Sequence, residues 1–136
     1  MVLRKGQALM NARVENVSDI ELDGFSARLE RRGTSLSVPL KGNADMAVQE
    51  KLRVFLDQLA TASQASGVTE AVFELDELYF MNSSCLSLLL RFINRVLEFP
   101  GDRRPRVRFK SNPNLQWQRK SLQALQSYAQ EVVVVE

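Results

Sequence analysis

The chain has 136 residues, of which 45% are apolar and 25% charged, a balance typical of a soluble globular protein with one domain and one core. Its net charge of +2 is too small to indicate binding to nucleic acid or membranes, and no apolar run approaches the length of a transmembrane helix. The absence of histidine excludes histidine-dependent nucleophiles and histidine-containing zinc sites, and the single cysteine excludes an internal disulfide.

The first half of the chain predicts two strands and a helix. Residues 1–24 show no clear periodicity and are expected to form an N-terminal extension or an extra edge strand. Residues 25–30 and the alternating run 35–40 predict two strands, and Pro39 indicates that the second strand ends there or lies at an edge. An apolar stripe at helical spacing then predicts a helix over about residues 46–62.

The second half alternates strands with helices. Strands are predicted over residues 72–75, 106–110 and 132–135, and helices over about 84–98 and 113–130. The order β-β-α-β-α-β-α-β predicts a single α/β domain over residues 25–136. The strands are apolar on one face and polar on the other, so we expect a mixed β-sheet with helices mainly on one face.

The sequence also argues against an enzyme. It contains no glycine-rich phosphate loop of the G-x-x-x-x-G-K-[ST] type and no convergent set of acid, base and nucleophile. We therefore expect no catalytic residues, no cofactor or metal, and no small-molecule substrate. The N-terminal run from Met1 to Gly6 lacks the apolar segment of a signal peptide, so we expect a cytoplasmic protein.

The most informative stretch is Phe80-Met81-Asn82-Ser83-Ser84-Cys85-Leu86, which lies between a strand-like run and a helix-like run. Two adjacent hydroxyls therefore fall where a strand ends and a helix begins. A helix N-terminus has unsatisfied N–H groups and the positive end of the helix dipole, so it stabilises an added phosphate. Position alone is compatible with a phosphorylated serine and with an ordinary N-cap at Asn82 or Ser83.

Three short motifs each follow a strand and precede a helix: Gly42-Asn43-Ala44-Asp45, Phe80 to Leu86, and Ser111-Asn112-Pro113. This arrangement resembles the STAS fold of anti-sigma-factor antagonists, whose central signature is close to F-[MI]-D-S-[ST]-G-L. The resemblance covers roughly residues 34–136. Residues 79–86 and 112–119 together also resemble a subfamily of bacterial STAS-like regulators.

The resemblance implies a bacterial regulatory module that binds a protein partner and is switched by reversible phosphorylation. The family is phosphorylated on the hydroxyl residue directly after the aspartate of its signature, which corresponds to Ser83, with Ser84 as the less favoured site. The implied partners are a GHKL-type serine kinase or anti-sigma factor and a PP2C-type phosphatase. The alternative is a constitutive STAS-type scaffold or assembly subunit that is not phosphorylated.

Two residues depart from the family signature, because Asn82 replaces aspartate and Cys85 replaces glycine. Asparagine caps a helix but is a poor base, which bears on whether a conventional anti-sigma kinase acts on this chain. STAS-like biofilm regulators that bind a diguanylate cyclase resemble the chain through an Asn-Thr-Ser-Ser motif, which makes such a cyclase another candidate partner. Cys85 is either a redox-sensitive thiol of lowered pKa or a small packed residue, and packing is favoured.

Several other residues are candidates for partner contact. Leu88 and Phe92 lie off the main apolar stripe of the second helix and form either an exposed docking patch or part of the packing under a neighbouring helix. Trp117 is either an interface anchor or a partly buried core residue. The predicted partner-binding set is Asn43, Asp45, Asn82, Ser83, Ser84, Leu88, Phe92 and Trp117.

One basic cluster consists of Arg103, Arg104, Arg106, Arg108 and Lys110. It forms either a surface for nucleic acid or anionic lipid, or a solvated face that pairs with Glu74 and Asp76 on neighbouring strands. Because Phe109 alternates inward, the cluster lacks an aromatic stacking platform. We therefore expect a charge-paired face, with neither nucleic acid nor membrane as a partner.

Overall fold

The computed structural model describes residues 12–14 and 16–136. Within them the elements in chain order are β1 (Ala12–Arg13), β2 (Ile20–Leu22), β3 (Phe25–Ala27), β4 (Glu30–Arg32), β5 (Ser35–Ala44), α1 (Gln49–Ala62), β6 (Glu70–Glu74), β7 (Leu78–Met81), α2 (Ser83–Leu97), a 3-10 turn (Gly101–Arg103), β8 (Arg106–Lys110), α3 (Gln116–Tyr128) and β9 (Val133–Val135). The N-terminal extension or edge strand expected over residues 1–24 falls partly on residues 1–11 and 15, which lie outside the described residues.

Strand β5 organises the sheet because it pairs with four other strands. Its first half pairs antiparallel with β4 and parallel with β6, and its second half pairs antiparallel with β3 and parallel with β7. Strands β6 and β7 therefore lie end to end along one edge of β5. This arrangement brings the end of β7, and the start of α2 that follows it, to the carboxyl end of β5.

The sheet order is β1-β4-β5-β6-β8-β9, and β6, β8 and β9 continue the parallel part. All three helices contribute to a single apolar cluster on one face of the sheet. In that cluster Phe73 stacks on Phe109 and packs edge-on against Phe92 of α2, with ring centroids 5.1 and 5.5 Å apart. On the opposite face polar side chains bond to each other, as Ser35 does to Glu70. The predicted α/β sheet with helices mainly on one face is confirmed.

Pro39 lies in the middle of β5, so the prediction that it ends the strand or marks an edge was wrong. Its carbonyl oxygen accepts the N–H of Arg28 at 3.2 Å. Arg28 lies in the break between β3 and β4, so the Pro39 carbonyl faces that break. The backbone nitrogen and carbonyl of one strand residue face the same side, so the proline nitrogen faces the break as well. The missing donor therefore falls where no strand requires it.

Helix α2 begins within one residue of its predicted start, but α1 begins at Gln49 rather than 46, and α3 at Gln116 rather than 113. In both cases a side chain closes a turn before the helix. The carboxylate of Asp45 accepts the N–H of Ala47 at 3.0 Å, and the amide oxygen of Asn112 accepts the N–H of Asn114 at 2.9 Å. These local bonds compete with the first helical turn and delay it.

No strand is predicted between the strand at 72–75 and the second helix, whereas the structure contains β7 there. Tyr79 and Phe80 are both exposed, which breaks the alternation expected of a strand. The cause is a register shift in the pairing of β7 with β5, between Gly42 and Asn43. Gly42 has φ +98°, and a Cβ there would lie 2.0 Å from the carbonyl oxygen of Gly24, so this irregularity requires glycine.

Candidate functional site

Asn82 is the N-cap of α2. Its backbone is extended, and its side-chain oxygen accepts the N–H of Cys85 at 2.8 Å. Its own N–H donates to the carbonyl of Ala44 at 2.9 Å, so the end of β5 holds the cap in place. Asparagine is among the preferred N-cap residues because it satisfies one of the unpaired N–H groups at a helix start. The capping role expected of Asn82 or Ser83 therefore belongs to Asn82.

Ser83 is the first residue of α2, and its side chain is exposed. Its hydroxyl forms no hydrogen bond with the described residues, although its carbonyl accepts the Ser87 hydroxyl at 3.0 Å. The first intrahelical bond runs from the N–H of Leu86 to the carbonyl of Asn82, so the N–H groups of Ser83 and Ser84 have no intrahelical acceptor and remain available at the helix start. Ser84 is also exposed, and its hydroxyl forms no hydrogen bond with the backbone in the described part of the chain.

Cys85 is a packed core residue. Its side chain is fully buried, and its thiol donates weakly to the Asp45 carbonyl at 3.6 Å. Burial raises the pKa of the Cys85 thiol above its usual value, and the nearby Asp45 carboxylate raises this pKa further. A redox-sensitive cysteine needs a lowered pKa and access to solvent, so the packing interpretation holds.

Asn43 and Asp45 lie beside the start of α2. The pairing of β5 with β7 places Asn43 opposite Phe80 and Ala44 opposite Met81, next to the cap residue. Both Asn43 and Asp45 are exposed. They also line an open groove of about 430 Å³ between the β2–β3 turn and the first turn of α1. Asn43 and Asp45 of the first motif therefore meet the two serines of the second motif at the carboxyl ends of β5 and β7.

Phe92 does not belong to this surface, so its assignment to an exposed docking patch was wrong. Its ring is 2% exposed and packs against Phe73. Helix α2 packs on α1 as well as on the sheet, and Arg91 and Arg95 reach Asp57 of α1 at 3.4 and 3.5 Å. A helix with neighbours on two sides buries more than one stripe. Leu88 is half-buried against the same core.

Trp117 is half-buried, and its indole N–H donates to the Tyr79 carbonyl at 2.9 Å. This bond joins the first turn of α3 to β7, the strand that leads directly to Asn82. The side chains of Tyr79 and Phe80 are 55% and 47% exposed, which is unusual for large aromatic residues beside a motif. Neither residue was predicted to belong to the site; the available signal was the pair of adjacent aromatics at the start of the motif, Tyr79 directly before it and Phe80 as its first residue.

Three of the five residues of the basic cluster form hydrogen bonds or ion pairs within the domain. Arg103 and Arg104 donate to backbone carbonyls, and Arg108 pairs with Glu70 at 3.2 Å and with Glu136. The expected charge pairing is present, although with carboxylates other than the predicted Glu74 and Asp76. Among the described residues there is no group of three or more side chains that could hold a metal ion, and no helix long and apolar enough to cross a membrane.

No family model and no curated protein sequence matches the chain. Its structure is similar to an anti-sigma factor antagonist from Mycobacterium paratuberculosis, with a TM-score of 0.60 and 17% identity, over 79% of this chain and 85% of that one. It is also similar to the anti-sigma factor antagonist SpoIIAA in its unphosphorylated form, with a TM-score of 0.55 and 21% identity, over 81% of this chain and 87% of that one. At these identities the likeness shows the fold, which is the STAS-type fold of anti-sigma factor antagonists.

Proposed function

We propose that the chain is a bacterial regulatory module of the anti-sigma-factor-antagonist type, whose binding to a protein partner is switched by reversible phosphorylation of Ser83. The fold it shares with two anti-sigma factor antagonists supports this class. The module acts by binding rather than by catalysis, and it works in the cytoplasm. The proposed partners are a GHKL-type serine kinase or anti-sigma factor and a PP2C-type phosphatase, with a diguanylate cyclase as the other candidate.

The observation that carries the proposal is that Asn82, and not Ser83, caps helix α2. Asn82 caps the helix, so the exposed hydroxyl of Ser83 has no structural task among the described residues. A kinase can therefore modify Ser83 without removing a bond that holds α2. Asn82 is also uncharged, so a phosphate on Ser83 would not face a neighbouring carboxylate at that position.

A phosphate at this point changes the surface more than the fold. The free N–H groups and the helix dipole stabilise a dianion at the start of α2. The exposed carboxylate of Asp45 already lies near this helix start, so phosphorylation would concentrate negative charge there. A partner docked over Ser83 would have to strip water from that phosphate or would be repelled by its charge. Either effect weakens the complex, so the partner would be released.

The test compares partner capture by the original chain, Ser83→Ala and Ser83→Glu, expressed at matched levels in the native cells. Ser127→Glu is the matched control, because Ser127 is an exposed serine near the end of α3, whose neighbour Tyr128 contacts Asn94 late in α2, so the same charge is placed away from the start of α2. Captured proteins are quantified by mass spectrometry, and the affinity of the main partner is then measured with purified proteins.

The proposal predicts that Ser83→Ala retains the partner and that Ser83→Glu binds it at least about tenfold more weakly. A tenfold change corresponds to about 1.4 kcal/mol, and a charge left unpaired in an interface costs roughly 2 kcal/mol or more. Ser127→Glu should bind as the original chain does. Equal affinity for all four proteins, and for chain phosphorylated at Ser83, would contradict the switch and leave the constitutive scaffold as the function.

A further inference from the structure

Gln118 is a fully buried polar residue whose side chain joins three separate segments. Its side-chain oxygen accepts the N–H of Asn112 at 2.7 Å, and its side-chain nitrogen donates to the carbonyls of Leu75 and Leu78 at 2.7 and 3.0 Å. A buried amide is costly unless its polar atoms are paired, and here they are. Such a residue contributes less through apolar packing than through the geometry that its bonds impose.

Two neighbours of Gln118 bind the same stretch of backbone. The side chain of Asn112 donates to the carbonyl of Asp76 at 2.9 Å, and the indole of Trp117 donates to that of Tyr79. We call Asn112, Trp117 and Gln118 the clasp. The clasp therefore satisfies four of the five carbonyls of residues 75–79, and the fifth, that of Glu77, accepts the N–H of Gly42.

We infer that the clasp positions the strand and the helix start that present Ser83. Strand β7 pairs with β5 along one edge, and in the described part of the chain its other edge is held by the clasp. Only three residues separate Tyr79, the last residue bound by the clasp, from Ser83. A shift of the β6–β7 corner is therefore carried along a short, hydrogen-bonded strand to the N-cap.

This inference rests on the proposed function of Ser83 for its biological meaning, but its physical content is tested without any partner. The experiment measures amide hydrogen exchange in Gln118→Met, which keeps the length and loses the three bonds. The control is Gln123→Met, the same substitution at an exposed position of α3. Exchange is followed at the amides of Asn82, Cys85 and Leu86, with residues 49–62 of α1 as the reference for global opening.

Gln118→Met should speed exchange at the start of α2 about tenfold more than in α1. The Leu75 carbonyl keeps the Leu78 N–H as a donor at 3.1 Å, but the Leu78 carbonyl loses the Gln118 side chain, and an unpaired buried carbonyl weakens local structure by about the free energy of a tenfold change. Gln123→Met should change neither region. A uniform increase in α1 and α2, or an increase confined to residues 75–79, would overturn the inference.

Trp117→Phe provides a second variant if Gln118→Met does not fold. It retains an aromatic ring and removes one clasp bond, so it should speed exchange at the same three amides by a smaller factor. No change there would overturn the inference. Because these measurements involve neither a kinase nor a partner, their failure leaves the phosphorylation switch standing, and failure of the switch leaves the exchange result standing.

Discussion

Replacing Asn82 and Ser83 separately by alanine distinguishes the residue that holds α2 from the residue that is free to be modified. Asn82→Ala removes the side-chain oxygen that accepts the Cys85 N–H at 2.8 Å. Ser83→Ala removes a hydroxyl that has no hydrogen bond within the described residues and is exposed to solvent. The two changes affect adjacent positions of the same helix start, so each is the control for the other.

The expected magnitudes follow from these contacts. Loss of an N-cap oxygen costs about 1 kcal/mol of unfolding free energy, within a range of roughly 0.5–2 kcal/mol. With a urea m-value of about 1–3 kcal/mol per molar, Asn82→Ala should lower the urea midpoint by about 0.3–1 M. Ser83→Ala should lie within about 0.5 kcal/mol of the original chain, as exposed substitutions usually do.

Urea titration followed by the fluorescence of Trp117, the single tryptophan, measures all three proteins under one condition. Asn82→Asp is a useful fourth protein because it keeps the capping oxygen and should recover the original midpoint at neutral pH. An equal loss of stability in Ser83→Ala and Asn82→Ala would contradict this assignment of roles. Ser83 would then have a structural task, and its exposure would no longer argue for modification.

Three further predictions test other parts of the account. Gly42→Ala would place a Cβ 2.0 Å from the Gly24 oxygen, so it should lower the unfolding free energy, measured in urea, far more than Gly33→Ala does. A Cβ at Gly33 meets open space, so that control loses only roughly 1–2 kcal/mol to backbone strain. Equal losses would contradict the irregular pairing of β5. Phe92→Ala should lower the unfolding free energy by about 3–5 kcal/mol in the same titration, and a loss below about 0.5 kcal/mol would instead place the ring at the surface. Burial raises the pKa of the Cys85 thiol, so iodoacetamide should label the native protein slowly at pH 7, and labelling as fast as in urea would contradict this. The stability that the protonated thiol contributes should be lost as the pH rises through the folded-state pKa of Cys85.

The order of elements and the position of the central serine could be predicted because both depend on local signals. Alternating apolar residues define β5 and β8, and the apolar stripe of α2 begins directly after a residue that caps helices well. The junction at residues 82 and 83 therefore came within one residue of its observed place. A cap and a strand end are properties of a few neighbouring residues, which the sequence displays directly.

The errors lie where distant segments decide the outcome. Phe92 is buried because α2 packs on both α1 and the sheet, which its own periodicity does not reveal. Pro39 fits the centre of β5 because its neighbour is a break between two strands. The clasp role of Gln118 depends on contacts with residues about 40 positions earlier in the chain. Within the sequence around Gln118, the only indication of this role was a polar residue on the apolar face of a predicted helix.

The central claim is that Ser83 carries a reversible phosphate. The most direct measurement is the mass of the intact protein purified from its native cells, together with peptide masses across residues 71–95, under several growth conditions. The account predicts a fraction of chains with one added phosphate mapped to Ser83, which a PP2C-type phosphatase removes. Complete peptide coverage with Ser83 unmodified under every condition would contradict it, and Ser83 would then be an exposed residue next to a helix cap.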